Sequence, residues 1–398
     1  MMILTRPTNR SENRPIRITD VGNYSSFNTV FGEMIQSPRS SRIVEEFQYN
    51  INTLTLTATE TNNGTVTQGD SMAILTSSTT SNGRARLESK RKLRYRPGHE
   101  GYAFFTALWA NGGVANATQY AGLFDSTDGF FIGYNGTNFV VGRRKDSSNT
   151  TVNQANFNGD HSFNSIVTSN LNIFMITYGW LGTAPVNFWW MNERGEWILI
   201  HRMELPNTLT GPSVTNPVLP VAFDVTKTSG SESIVMKTAS WHAGIVEPIE
   251  VRAAGDRYFS AGAAGSTIST EEVLLNVKNQ TTFQSKTNKV EIIIEFFEAS
   301  SEGTKPAIIE IYKNLSIGGT PVWGDVDATN SVVQTDTAGT VTPDPTKRLF
   351  SIHLAKSDSH AVQGLPSFYL LPGETLTITG QSASNTDLNF YMLWREEF

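Results

Sequence analysis

The sequence contains no cysteine, and only 17% of its 398 residues are charged. Without cysteine there are no disulfides, no thiolate metal sites and no cysteine nucleophiles. No apolar run approaches the ~18 residues that a membrane-spanning helix needs, so we expect no membrane span. Residues 1–20 are polar and carry four arginines without an apolar stretch, so we expect no signal peptide.

Familiar catalytic and cofactor motifs are also missing from the sequence. It has no HExxH, no P-loop, no Gly-x-Ser-x-Gly and no Gly-x-Gly-x-x-Gly after a strand. A net charge of −6 argues against nucleic-acid binding by the whole surface. We therefore expect no catalytic residue, no cofactor and no nucleic-acid partner.

What the sequence does contain is a period of two in its apolar residues. Phe174, Ile176 and Tyr178 alternate with other residues, as in a strand with one buried face. Asn135-Gly136 lies between two such runs, at 129–134 and 137–141, and favours a tight hairpin turn. Short strands separated by turns predict an all-β protein built as a sandwich or jelly roll.

Changes in composition divide the chain into four parts. Residues 1–45 lack periodicity and are interrupted by proline, which predicts an extended N-terminal arm. Residues 46–250 form the predicted jelly roll, and 251–270, rich in Gly, Ala and Ser, the predicted linker. Alternating strands resume over 271–398 and predict a smaller C-terminal β-sandwich.

The densest charge feature is a basic run between residues 84 and 96. If this run is one strand, Leu93 and Tyr95 point to one face and a row of cations to the other. Such a row predicts contact with an acidic partner or an anionic glycan, although a solvated strand face that prevents edge aggregation explains it equally well. The candidate contact residues of this run are Arg84, Arg86, Lys90, Lys92, Arg94 and Arg96.

Tryptophan supplies the second candidate contact. Trp189 and Trp190 are adjacent, and alternation along a strand sends one of them away from the core. That outward side chain is the best candidate for a ligand or partner contact, since most aromatic side chains in strands are buried.

Two further patterns have a simpler explanation than chemistry. Asp125 and Asp128 are weak candidates for calcium ligands, but Asp and Gly at this spacing are also what a tight turn requires. Glu291, Glu295 and Glu298 could be considered as the paired carboxylates of a glycosidase. The Glu-x-Asp-x-x-Glu run of jelly-roll glucanases is missing, and we expect these carboxylates on a solvated face.

An ordered set of motifs between residues 20 and 250 resembles a family of virion structural proteins of tailed bacteriophages, with relatives in some large DNA viruses. The motifs are Phe27-Asn-Thr-Val-Phe-Gly32, Arg94-Tyr-Arg-Pro-Gly-His99, Ala121-Gly-Leu-Phe-Asp-Ser-Thr-Asp-Gly-Phe130, Tyr134-Asn-Gly-Thr137, Trp180-Leu-Gly-Thr-Ala-Pro-Val186, Asn207-Thr-Leu209 and Asn216-Pro-Val-Leu-Pro-Val221. Residues 174–201 are also similar to concanavalin-like and laminin-G-like jelly rolls, and 370–398 to small sandwiches of phage fibre and capsid-associated proteins.

This resemblance implies a non-enzymatic virion component on the tail, neck or capsid, in a fibre, spike or decoration role. It implies a homo-oligomer, with a trimer favoured, that holds other virion proteins through its arm and contacts host surface glycan. The alternative is a carbohydrate-binding or carbohydrate-cleaving jelly-roll protein.

Overall fold

The computed structural model describes residues 29, 39–246, 256–265, 270–363, 368–382 and 386–398, and this part of the chain is folded into β-strands. Its helices are three short 3-10 segments, Gln154–Asn156, His161–Ser165 and Pro345–Lys347. None of these described helices is long and apolar enough to cross a membrane. The chain divides into two compact units, Met1–Val251 and Arg252–Phe398.

Sixteen strands are described in the first unit, numbered here in chain order. They are β1 (Arg39–Glu46), β2 (Leu56–Thr61), β3 (Thr65–Gly69), β4 (Met72–Thr76), β5 (Arg84–Ser89), β6 (Gly101–Trp109), β7 (Ala117–Phe124), β8 (Gly129–Asn135), β9 (Asn138–Lys145), β10 (Ser148–Asn153), β11 (Asn172–Tyr178), β12 (Val186–Met191), β13 (Trp197–Met203), β14 (Val221–Lys227), β15 (Val235–Thr238) and β16 (Ser240–Val246).

These strands form two antiparallel sheets. Seven strands make one sheet in the order β10-β9-β8-β7-β14-β5-β2. The other sheet has nine strands, with β13-β12-β11-β6-β15-β4-β3 in sequence and with β16 pairing both β6 and β1. Neighbours such as β14 and β5 are far apart in the chain, as in a jelly roll.

One aromatic-rich core joins the two sheets. Phe105 and Trp241 of the nine-stranded sheet lie 5.8 Å and 5.2 Å, centroid to centroid, from the Phe223 ring of the seven-stranded sheet. Phe130 and Tyr178 make a similar contact at 5.5 Å. Along the central strands, such as β11 and β14, the core uses every second residue, so the intervening residues face away from it.

The second unit is a smaller sandwich with a core of its own. Its strands are β17 (Arg257–Gly265), β18 (Glu272–Asn279), β19 (Thr282–Phe283), β20 (Lys286–Thr287), β21 (Glu291–Gly303), β22 (Ala307–Lys313), β23 (Ile317–Gly319), β24 (Gly324–Asp325), β25 (Val333–Asp336), β26 (Gly339–Val341), β27 (Arg348–Leu354), β28 (Ser359–Gln363), β29 (Tyr369–Leu370), β30 (Thr375–Ser382) and β31 (Thr386–Glu397). One sheet runs β17-β31-β21-β28, with β29 pairing β21, and the other runs β24-β25-β18-β30-β22-β27. Phe297 and Phe390 of the first of these sheets pack against Ile309 and Ile378 of the second within one apolar cluster.

The predicted fold class is confirmed: the described chain is an all-β jelly-roll sandwich followed by a smaller C-terminal β-sandwich. Two predicted boundaries are wrong. Residues 39–45, assigned to the arm, belong to β1, which pairs with β16, while 1–28 and 30–38 lie outside the described residues. Residues 257–265, assigned to the linker, form β17, because β31 supplies a complete ladder of backbone partners for this small-residue strand.

Candidate functional site

The outer face of the seven-stranded sheet carries a row of charged and aromatic side chains in place of the usual solvated polar residues. The strand register places Arg86 beside Asp224, and Asp224 beside Tyr120. We call this surface the arginine face. It consists of Arg84, Arg86, Glu88, Tyr120, Phe124, Phe131, Arg144, Asn149 and Asp224.

Aromatic rings form the floor of the arginine face. Tyr120 and Phe131 lie 4.1 Å apart, centroid to centroid, and Phe131 lies 5.9 Å from Phe124. All three side chains are buried although they lie on the outer side of the sheet. Gly142 makes room for this packing, because a Cβ atom there would lie 2.2 Å from Cζ of Phe131.

The central ion pair of the face joins two strands that are distant in sequence. Nη1 of Arg86 lies 3.0 Å from Oδ2 of Asp224, and Nε of Arg84 donates to Oδ1 of the same carboxylate at 3.0 Å. Burial alone would raise the pKa of the Asp224 carboxyl, but the two guanidinium groups outweigh it and hold that pKa below its ordinary value. Asp224 is therefore ionised near neutral pH.

Arg86 is fixed by hydrogen bonds and by contact with an aromatic ring. Its Nε donates to Glu88 at 3.0 Å, its Nη2 donates to the Phe124 carbonyl at 2.9 Å, and its guanidinium carbon lies 4.8 Å from the Phe124 ring centre. Arg84 and Glu88 are more open, with 35% and 29% of their side chains exposed. The face thus presents polar groups to solvent above a rigid, buried support.

Arg144 shares the Phe124 ring of the aromatic floor with Arg86. Its guanidinium carbon is 5.2 Å from the centre of Phe124 and 5.8 Å from that of Phe131. Its Nε donates to Oδ1 of the exposed Asn149 at 2.8 Å, and its Nη1 to the Asp125 carbonyl at 2.7 Å. Burial lowers the pKa of Arg144. Burial also raises the pKa of Tyr120 to about 12, although the positive charge of Arg144 acts in the opposite direction.

The predicted basic row is only partly formed. Arg84 and Arg86 share the arginine face, but β5 ends at Ser89, so Lys90, Lys92, Arg94 and Arg96 do not continue the row. Beyond Ser89 the pairing between the segments of β5 and β14 is reduced to a single bridge between Leu93 and Leu219, directly before Pro220, which has no backbone N–H to donate. Lys90 turns to the Thr53 carbonyl, 2.6 Å away, and Arg96 is almost fully buried.

Alternation places Trp189 and Trp190 on opposite faces of β12, as predicted. Trp190 lies in the core and donates from Nε1 to Oδ1 of Asn172 at 3.0 Å, so it is not a contact residue. Trp189 lies outside the core, in a cluster with Met175, Leu199 and their aromatic neighbours. Only 3% of Trp189 is exposed, because these neighbours cover it.

The carboxylates of the two weak calcium candidates are occupied by hydrogen bonds, one inside the turn and one to a distant loop. Oδ1 of Asp125 accepts hydrogen bonds from the backbone and hydroxyl of Thr127, both at 2.9 Å, and Oδ1 of Asp128 accepts from the Thr215 backbone at 2.7 Å. Over the described residues there is no cluster of three or more His, Asp or Glu side chains that could hold a metal ion. Asp125 thus stabilises the turn itself, and Asp128 joins the turn to the loop that contains Thr215.

Sequence reasoning missed Arg144, Asp224 and the aromatic floor. Asp224 and Arg86 are 138 residues apart, and only the strand order of the folded sheet brings them together. The one available signal was the period of two, which placed Tyr120 and Phe131 opposite the core-facing residues of their strands.

No protein-family model matches the chain, and no curated protein matches it either. Among solved structures, it is similar to lectin II from Ulex europaeus, at 12% identity and a TM-score of 0.35, over 52% of this chain and 99% of that one. It is also similar to a glycosyl hydrolase family 16 protein from Mycobacterium smegmatis, at 12% identity and a TM-score of 0.34, over 51% and 100%. A third is the cellulose-induced protein Cip1, at 14% identity and a TM-score of 0.33, over 53% and 100%.

Proposed function

We propose that this protein is a non-enzymatic, glycan-binding β-sandwich protein and that the arginine face is its binding surface. The observation that carries the proposal is the support of Arg86 and Arg144 on the Phe124 ring, at 4.8 Å and 5.2 Å. Planar hydrogen-bonding groups fixed in this way lose little conformational freedom when a ligand binds.

The exposed part of the face suits a ligand rich in hydroxyl groups. Arg84 and Asn149 offer N–H donors, while Glu88 and the Asn149 carbonyl offer acceptors. A sugar hydroxyl both donates and accepts, so a surface that mixes fixed donors and acceptors can bind it in a defined orientation.

The carboxylates of the face support binding without hydrolysis. A glycosidase needs one carboxyl that stays protonated to act as the acid. Asp224 has a lowered pKa because of Arg84 and Arg86, and Glu88 is bonded to Arg86 at 2.6 Å. Neither group is placed as a proton donor, so we propose no catalytic activity for this face.

An array of neutral, carboxylated and sulfated glycans, probed with the full-length protein, tests the proposal. We expect binding to at least one glycan class, about tenfold weaker for Arg84→Ala, and no shorter products on prolonged incubation. Arg194→Ala is the matched control, because it removes the same charge from the exposed turn between β12 and β13. Absence of binding to any glycan, or release of shorter products, would overturn this function.

A virion setting for this activity is supported by the ordered sequence motifs that resemble phage structural proteins. We propose that the protein is displayed on a tailed-phage particle as a homo-oligomer, with three copies expected. Labelling purified particles with an antibody against the protein, and light scattering of the purified chain, test both parts. Particles without label would contradict the virion location, and a monomer in solution would contradict the oligomer.

A further inference from the structure

We propose that the ligand of the arginine face is an acidic glycan, and that Arg144 binds the carboxylate of a uronic-acid-type sugar. This inference rests on the glycan-binding function proposed above and adds the class of sugar.

The guanidinium group of Arg144 is fixed in orientation, but not all of its N–H donors are used. A guanidinium group has five N–H donors, and among the described residues Arg144 uses one on Nε, to Asn149, and one on Nη1, to the Asp125 carbonyl. The other three N–H groups, including both on Nη2, have no hydrogen-bond partner in this part of the chain. The end of the group that carries Nη1 and Nη2 can therefore still form the paired hydrogen bonds that a carboxylate accepts.

The charges around Arg144 do not balance. The arginine face has three cations, Arg84, Arg86 and Arg144, and two anions, Glu88 and Asp224. Both anions are ion-paired with Arg84 or Arg86, and no described carboxylate lies within ion-pair distance of Arg144. One half-buried positive charge is thus left on the face, and a single bound carboxylate would neutralise it.

Burial makes this charge costly in the free protein. The side chain lies over Phe124 and Phe131, and its removal from water lowers the pKa of Arg144. An anion that forms two hydrogen bonds to the guanidinium would replace the lost hydration. Arg86, in contrast, already has Glu88, Asp224 and a backbone carbonyl as acceptors, so it can only support the site.

The location also suits a sugar rather than a free anion. Asn149 is exposed and next to Arg144, and Thr151 follows on the same face of β10. These groups can bind the hydroxyls of the ring whose carboxylate Arg144 holds, and the partly exposed Arg84 and Glu88 lie further along the sheet. A sulfate group on a sugar would also neutralise one positive charge, but the planar guanidinium of Arg144 matches a planar carboxylate better.

The test compares sugars that differ in one charge. Isothermal titration of the full-length protein would use oligogalacturonate, oligoglucuronate, their methyl esters and a sulfated neutral oligosaccharide. We expect the uronates to bind and the esters to bind about tenfold or more weakly. We expect uronate binding to fall by at least about tenfold for Arg144→Met and less for Arg144→Lys, which keeps the charge but loses the fork.

Arg194→Ala is again the control and should bind as the unaltered protein does. Thermal unfolding of each variant separates lost binding from lost folding, and Arg144→Lys keeps the test valid if Arg144→Met does not fold. Any of three results would overturn the acidic-sugar assignment while leaving the glycan-binding function intact. These are equal binding of uronates and esters, preference for the sulfated sugar, and undiminished uronate binding by both Arg144 variants. A protein that binds none of these sugars and no glycan on the array would overturn the underlying function.

Discussion

Arg86 and Asp224 face each other across two neighbouring strands, with Nη1 of the arginine 3.0 Å from Oδ2 of the aspartate and both side chains almost fully buried. This pair lies on the outer side of the sheet, where a sandwich usually exposes its polar residues. The structure therefore places a buried, charged layer above the seven-stranded sheet in addition to the apolar core beneath it.

Replacing Asp224 tests how strongly this charged layer supports the fold. Asp224→Asn leaves Arg84 and Arg86 without their shared anion, and we expect a loss of about 3 kcal/mol in the free energy of unfolding. Urea denaturation at pH 7 would measure it. Asp70→Asn is the control, since Asp70 is exposed and Asn tolerates its positive φ of 54°. An Asp224 variant as stable as this control would show that the ion pair contributes nothing.

The same residue predicts a dependence on pH. The folded-state pKa of Asp224 lies below its ordinary value because Arg84 and Arg86 outweigh the effect of burial. Its stabilising contribution is therefore present above the ordinary Asp pKa and is lost as pH falls through the lowered value. The stability difference between the unaltered protein and Asp224→Asn should shrink in acid, and a constant difference would contradict this explanation.

Gly142 predicts a link between backbone packing and the site. A Cβ atom at this position would lie 2.2 Å from Cζ of Phe131, so Gly142→Ala must displace the ring that supports Arg144. We expect a loss of about 1–3 kcal/mol in stability, measured by urea denaturation, and weaker binding at the arginine face. Gly136→Ala is a useful comparison, because it has open space around it and strain only from its φ of +60°. Equal glycan binding by both variants would contradict the supporting role of Phe131.

Local patterns predicted those parts of the fold that depend on local geometry. The prediction of a hairpin at β8 and β9 is confirmed. Gly136 adopts the positive φ that its two-residue loop needs, and the apolar residues alternate on both strands. Composition misled the interpretation of β17: Ala and Gly indicate a linker, but they also fit an edge strand whose partner, β31, carries the large side chains.

The candidate site could not be predicted because its groups meet only through long-range pairing. The basic run indicated Arg84 and Arg86 but gave no reason for the strand to end at Ser89, beyond which Leu93 and Leu219 form only a single bridge. Nothing near Arg144 in the sequence indicates that it would lie over Phe124, since that contact depends on the order β9-β8-β7 in the sheet.

His201 predicts a second pH effect with a different range. Burial lowers its pKa to about 4, and Nδ1 accepts a hydrogen bond from the backbone of Asn158 at 3.2 Å, which requires the neutral ring. The unfolded chain takes up this proton near pH 6.5 and the folded chain only near pH 4, so stability falls as pH decreases across that interval. His201→Asn can keep an acceptor close to the Nδ1 position without titrating.

Melting temperatures of the two proteins at pH 7, 6, 5 and 4 check this effect. We expect the unaltered protein to lose more stability than His201→Asn between pH 6.5 and pH 4, while the carboxylates contribute equally to both. Parallel curves would show that the ring titrates at its ordinary pKa in the folded protein.

The adjacent tryptophans of β12 give a matched pair of substitutions. Trp190→Phe removes a hydrogen bond to Oδ1 of Asn172, whereas Nε1 of Trp189 is buried without an acceptor among the described residues. Both changes remove the same atoms from side chains that are at least 95% buried, so the loss of apolar contact is similar. We expect Trp190→Phe to destabilise the protein by about 1 kcal/mol more than Trp189→Phe, as measured by urea denaturation. Equal losses would mean that the Trp189 indole finds a hydrogen-bond acceptor in solution.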